Sequence, residues 1–328
     1  SRALLGNPDT PWHVSSGISE AIQLLPIDNT SGKHEITYNS PEWSFIQSYF
    51  ELHPPTNRHI GRVYCIQNKN LRVRFEAHIQ NLEIEAKQPA FKPKWDQNTD
   101  VDLRRKVNHR WEMMAAQYSP FIIKGENQEK KTYVDVKIFP LLHGTTVAKG
   151  ASIGKTGFTS FGKHFFLSGQ GSRGQSTDAG FFGSGLYFTN SFKYAAEIYS
   201  DGTVVFAWVA MRPPYHVVAN CKYPGEPDDM RMLRGKGHFE NYNAHYIPVV
   251  PVSPLNEKCS IYYPCTKDQE PLFDEFVVFQ DAQTLPTFQI ELEVTLLKGL
   301  STHPTFKVLL DSIEKVLINR RMKNSKLL

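Results

Sequence analysis

Residues 182–190 read Phe182-Gly183-Ser184-Gly185-Leu186-Tyr187-Phe188-Thr189-Asn190, a glycine turn that feeds a short strand. Upstream, Leu141-Leu142-His143-Gly144-Thr145 closes a strand predicted over 132–142. Downstream, Asp274-Glu275-Phe276-Val277-Val278-Phe279-Gln280-Asp281 sets an acidic pair at the mouth of an apolar strand. Further strands are predicted at 204–211 and 288–297. Taken singly, each segment also has a plain reading. A His-Gly at a strand end is a turn, a tyrosine after two glycines packs beside a bulge, and a glutamate at a strand mouth is a solvated edge charge.

Working back from these strands, the first half of the chain reads as helical. Behind Ser40-Pro41, the residues Trp43, Ile46 and Phe50 recur at spacings of three and four, and Pro54-Pro55 ends the run. Residues 61–67 are β-branched and aromatic, which predicts a strand. Leu71, Phe75, Ile79 and Leu82 mark a second amphipathic helix to about Ala86, and Val107, Trp111 and Met114 mark a third over 101–117. Between them, 88–100 is a polar, proline-broken insertion. A short helix is predicted at 192–199, and another at 305–318 before the basic tail NRRMKNSKLL. Residues 1–40 read as an extension with little regular structure, and 212–270 as long, proline-rich and irregular. Helices first and strands later predict an α+β fold. The one GxGxxG match, Gly169 to Gly174, opens no apolar helix, so a dinucleotide fingerprint is unsupported.

The chain has 328 residues, with 37 Lys and Arg against 33 Asp and Glu, for a net charge of +4. So small an excess does not predict nucleic-acid binding. Cys65, Cys221, Cys259 and Cys265 form no CxxC pair, which argues against zinc ribbons. Cys259 and Cys265 could bridge a loop in a secreted chain; free thiols in a reducing compartment are the plainer reading. The histidines show no metal-ligand spacing, so no metal is expected. No apolar run is long enough to span a membrane, and no membrane partner is expected. The chain begins at Ser1, and the expectation is an excised piece of a longer protein.

Together the three segments resemble the catalytic domain of the poly(ADP-ribose) polymerase family. His143-Gly144-Thr145, Gly183-Ser184-Gly185-Leu186-Tyr187-Phe188 and Glu275 match its His-Gly-Ser/Thr, Gly-x-Gly-x-Tyr-Phe and late glutamate. The run Gln280-Asp281-Ala282-Gln283-Thr284-Leu285-Pro286 looks closest to the mono-ADP-ribosylating branch. The resemblance covers about residues 42–295. It implies the ADP-ribosyltransferase fold, two packed antiparallel sheets with flanking helices and a NAD cleft between them. The chain then divides into an extension (1–41), a catalytic domain (42–298, helical to 130 and sheet core from 131) and a C-terminal helix and tail (299–328).

The implied activity is transfer of ADP-ribose from NAD, a co-substrate, to a macromolecular acceptor with release of nicotinamide. A protein acceptor is expected, a nucleic-acid acceptor stays open, and single transfer is favoured over chains. The compartment would be cytoplasmic or nuclear, or a host cytosol reached by a secreted bacterial effector. A NAD glycohydrolase and a non-catalytic NAD- or partner-binding module are the alternatives. The cleaved bond is glycosidic, so the enzyme must stabilise an oxocarbenium-like ribose, a task for the Glu275 carboxylate. The resemblance gives His143 a donor role to the adenosine ribose, Gly144 a backbone approach to the carboxamide, Thr145 an adenosine contact and Tyr187 a stacking face.

The chain departs from the family at one point. Eight residues past Tyr187 the family has a serine, where this chain has Ala195. The family's second stacking tyrosine falls at Ile198, so a one-residue insertion is needed to bring in Tyr199. Tyr194 and Tyr199 are candidate nicotinamide-site rings, with ordinary helix packing as the alternative. Lys163, His164 and Arg173, in the Gly/Ser-rich loop 159–179, are candidates to meet the pyrophosphate. The insertions 88–100 and 212–270 are the expected places for acceptor recognition.

Overall fold

The computed structural model describes residues 22–24, 32–38, 40–92, 94, 100–118, 121–124, 130–158, 180–253 and 261–294. In chain order the elements are β1 (Ile22–Leu24), β2 (Gly32–Glu35), α1 (Pro41–Leu52), β3 (Arg58–Gln67), α2 (Lys69–Ala86), α3 (Val101–Ala116), β4 (Phe121–Lys124), β5 (Lys130–Tyr133), β6 (Lys137–Thr146) and α4 (Val147–Thr156). There follow β7 (Leu186–Thr189), α5 (Phe192–Tyr194), β8 (Gly202–Met211), β9 (Tyr215–His216), α6 (Asp228–Leu233), β10 (Ala244–Pro251), β11 (Tyr262–Pro264), β12 (Phe273–Val278) and β13 (Thr284–Val294). The fold is mixed helix and strand around a large, mainly antiparallel sheet, consistent with the α+β class.

Local chemistry accounts for the helices. Ser40 caps α1 by accepting from the Trp43 amide at 3.1 Å, and the Asn68 side chain caps α2 through the Leu71 amide at 3.1 Å. Each cap satisfies an amide that the first turn leaves without a helical partner.

The large sheet has ten strands, running β11-β10-β12-β7-β6-β8-β13-β3-β2 with β9 beside β10; β1, β4 and β5 form a separate three-stranded sheet. Strand β8 is central. Its Val204, Phe206, Trp208 and Ala210 join a core with Phe45, Phe75 and Ile79 from α1 and α2. Its Val205, Ala207, Val209 and Met211 face a second core that includes Val107 and Trp111 of α3. Both faces of β8 are therefore buried, which is why it reads as an unbroken apolar run.

The sheet has one narrow joint. Strand β6 pairs with β8 from Lys137 to Thr146, yet meets β7 at the single pair Leu142↔Thr189. Two well-laddered halves thus hang together at Thr189.

Several expectations are corrected. The strand predicted over 132–142 is two strands, broken by a bend at 134–136, and β6 runs on through His143 to Thr146. Residues 32–35 of the supposed extension form β2, paired with β3, and 22–24 form β1. Strand β3, from the part read as helical, pairs along β13, so 130/131 is not a boundary between layers. The described residues of 212–270 are not irregular: they supply α6 and β9 to β11, and β10 pairs directly with β12. The expected two sheets are one ten-stranded sheet with a narrow joint, plus the small one. The predicted helix at 305–318 lies outside the described residues, as does Cys259. Cys265 is a buried free thiol.

Candidate active site

Alternation along β12 divides its acidic pair. Asp274, Phe276 and Val278 face the core beneath α3, whereas Glu275 shares the opposite face with Phe273 and Val277. Strand β12 lies between β10 and β7, and Glu275 is 3% exposed, so the reading as a solvated edge charge fails. A carboxylate this deep needs hydrogen bonds to offset its lost hydration. Oε1 accepts from the Tyr194 hydroxyl through a short bond and from the Tyr199 hydroxyl at 2.9 Å. Burial first, and then the Glu275 charge, push the Tyr194 phenol well above its ordinary pKa, so it stays a donor.

The Tyr194 ring is already engaged. It stacks on Phe273 at 4.7 Å and meets Tyr262 edge-on at 4.5 Å. Both candidate tyrosines therefore act on Glu275 through their hydroxyls, and Tyr194 offers no open face to a ligand ring.

Strand β7 carries Tyr187 opposite Val277 of β12. The Tyr187 hydroxyl donates to the Gly183 carbonyl at 2.9 Å and accepts from the Phe182 amide at 3.0 Å, which folds the ring back over its own glycine turn. Gly183 sits at φ +115°, a conformation side chains rarely adopt, and a Cβ there would lie 2.9 Å from Phe279. The same turn is held from the 212–270 segment: His245 Nδ1 bonds the Phe182 carbonyl at 2.6 Å, and the Ser184 amide donates to Lys236 at 2.6 Å.

His143 stands where β6 and β7 part. Its Nδ1 bonds the Tyr187 carbonyl at 2.8 Å. A carbonyl only accepts, so Nδ1 carries the hydrogen, and in the neutral ring Nε2 is an acceptor. Burial lowers the imidazole pKa below its ordinary value despite that bond, which favours the neutral form. In this neutral tautomer Nε2 can accept a hydrogen bond and cannot donate one. The ring packs with Phe158 and Phe188, whereas Tyr187 joins the aromatic cluster on the other side of β7. His143, Tyr187 and Glu275 are thus on three consecutive strands, with the histidine and the carboxylate on opposite sides of the middle one.

Gly144 has a different structural reason from the one expected. A Cβ at this position would come within 2.3 Å of the Ala195 carbonyl and 2.8 Å of the Ser200 amide. The glycine admits a helical segment, Ala195–Tyr199, which is a π turn. A π turn holds one residue more than an α turn, and it brings Tyr199 to Glu275. Ala195, where the family has serine, is fully buried. Thr145 is buried at 7% exposure within β6, paired with Thr203. Lys163, His164 and Arg173 lie outside the described residues.

Three supports escaped the sequence reading. Asp274, behind Glu275, accepts two bonds from Arg110, at 2.8 and 2.7 Å, and one from the Tyr246 hydroxyl at 2.6 Å. Asp229 accepts from Arg104, Tyr215 and the Val218 amide, fastening α6 to α3. Gln283, fully buried, answers four backbone groups, accepting from the amides of Phe279 and Gln280 and donating to the carbonyls of Ala210 and Asn243. Asp274 had a signal in the acidic pair at 274–275 and Gln283 in the run 280–286, but neither signal said anything of their bonds.

A cavity of about 470 Å³, lined by Arg110, Met113, Met114, Tyr118, Asn190 and Asp274, opens on the opposite side of β12 from Glu275. Among the described residues, no group of three or more His, Cys, Asp or Glu could hold a metal ion, and no helix is long and apolar enough to cross a membrane. In comparison with known proteins, no family model and no curated protein matches the chain.

Proposed function

We propose that the chain is a NAD-dependent ADP-ribosyltransferase that moves single ADP-ribose units to a macromolecular acceptor, protein first among them, and releases nicotinamide. The observation that carries this reading is the placement of His143, Tyr187 and Glu275 on three neighbouring strands at the joint where the sheet narrows. That joint also suits the ADP-ribosyltransferase fold, in which two sheets open around the dinucleotide.

The residues fit the chemistry asked of them. As the bond from ribose to nicotinamide breaks, nicotinamide leaves with the bonding pair and positive charge grows on the sugar. The Glu275 carboxylate opposes that charge, accepts from a ribose hydroxyl, and serves as base toward the acceptor nucleophile. The Tyr187 ring, fixed by both bonds of its hydroxyl, is a rigid face for nicotinamide. His143 Nε2 accepts from a hydroxyl of the other ribose.

The test is incubation with labelled NAD, alone and with cell lysate, beside Glu275→Gln. Label on protein that falls about a hundredfold or more in the variant supports the transferase. Free ADP-ribose with no labelled protein would make the chain a NAD glycohydrolase. No turnover by either form removes the enzyme reading and leaves a binding module.

A further inference from the structure

We infer that Tyr194 and Tyr199 are positioning residues for Glu275, fixing the carboxylate through one oxygen rather than touching nicotinamide as stacked rings. The inference rests on the proposed function for its kinetic consequence, although the geometry stands without it. Both hydroxyls converge on Oε1, from the two ends of one short segment: Tyr194 closes α5 and Tyr199 closes the π turn.

The two hydroxyls also approach each other at 3.3 Å, with the rings edge to face at 5.3 Å. Carboxylate and phenols therefore form a closed triangle. Tyr194 is immobilised by Phe273 and Tyr262, and Ser191 caps its turn through the Tyr194 amide at 3.2 Å. Tyr199 is less buried, held by the π turn packed on Gly144. A carboxylate pinned at one oxygen has a fixed plane, so its other oxygen has a fixed direction toward a reacting sugar. Donors aimed at a charged carboxylate also favour the charged form over the protonated one. The tyrosines thus set both where Glu275 points and the pH below which it stops working.

Tyr194→Phe keeps the ring packing and removes only the hydroxyl, and Tyr199→Phe does the same at the second donor. In NAD turnover followed by nicotinamide release, kcat should fall about tenfold or more in Tyr194→Phe. The KM for NAD should stay within about twofold, because binding in the ground state is not what the hydroxyl serves. The acidic limb of the pH profile should move up. The same rise should appear in a carbon-13 titration of the Glu275 carboxyl, assigned by its absence in Glu275→Gln. A ring that merely fills space would move neither the acidic limb nor the titration. If Tyr194→Phe does not fold, Tyr199→Phe carries the test. A raised titration in a protein that never turns over NAD would keep the positioning role and discard the proposed function. An unchanged titration in the folded variant overturns the inference.

Discussion

Leu142 and Glu275 pair with the same residue, Thr189, from opposite sides. Across that one residue the half of the sheet carrying His143 meets the half carrying Glu275. Everything that sets the distance between the two halves acts through the joint or through the segments packed over it, and most of the following expectations concern those segments.

Gln283 is the fastening on the Glu275 side. Replacing it with leucine keeps the volume roughly and leaves two part-buried amides and two buried carbonyls without their partner. Gln283→Leu should lose about 3 kcal/mol or more, read as a drop in the urea midpoint at unchanged m-value. A midpoint within error of the parent would mean that these bonds are replaced by others.

Asp229 tests whether the 212–270 segment is part of the fold or an appended loop. Its carboxylate is 5% exposed and answers the equally buried Arg104. Asp229→Ala strands that guanidinium and should lose about 3–5 kcal/mol. Full stability would return the segment to the status of a removable insertion.

At Gly144 the expected outcome is a coupled loss. The atom nearest an added methyl is the Ala195 carbonyl, a backbone atom that cannot swing aside. Gly144→Ala should lose about 1–3 kcal/mol of stability by overpacking. Nicotinamide release should fall further than stability explains, because the displaced π turn carries Tyr199. Activity in proportion to the folded fraction alone would separate the two effects and contradict the coupling.

Acid should unfold the protein early. Burial holds His216 down at about 3, with the Arg104 charge adding, and burial holds His245 at about 4, against an ordinary value of 6.5. The folded pKa values lie below the unfolded ones, so the unfolded chain takes up the proton first as pH falls. Stability is fully present above about pH 6.5 and declines by about 1.4 kcal/mol per unit for each histidine below it. The decline ends at about 4 for His245 and about 3 for His216. Urea midpoints taken at about pH 7.5, 6 and 5 should trace this slope, and His245→Asn should flatten it by one histidine's share. A flat profile would show that these rings are not neutral in the fold.

The helices α1 to α3 were legible because their apolar spacing is local, and so were β7, β8 and β12, whose runs are rich in β-branched or aromatic residues. Strand β10 was hidden by Pro248 and Pro251, residues that argue against an interior strand. The start of β13 was hidden in the same way by Pro286, at which its ladder with β8 shifts register. The residue types of the site could be read one segment at a time, but the bonds among them could not. Tyr194 and Tyr199 stand 81 and 76 residues from Glu275 and meet it only because β7 and β12 are neighbours. The acceptor role of His143 Nε2 likewise depends on a carbonyl 44 residues away.

The π turn Ala195–Tyr199 lets the chain absorb at this point one residue more than an ordinary helix would hold. Each residue of an α-helix advances the chain by about 100° around the axis. Taking out any single residue between Ala195 and Tyr199, whichever it is, would let the segment close as an ordinary α turn, whose four steps turn the chain about as far as the five of the π turn, and so keep the Tyr199 hydroxyl near its phase with Glu275. Most substitutions at Glu197 or Ile198 would leave that phase intact. A one-residue deletion here shortens the chain while keeping the angle of approach and every functional side chain in the sequence.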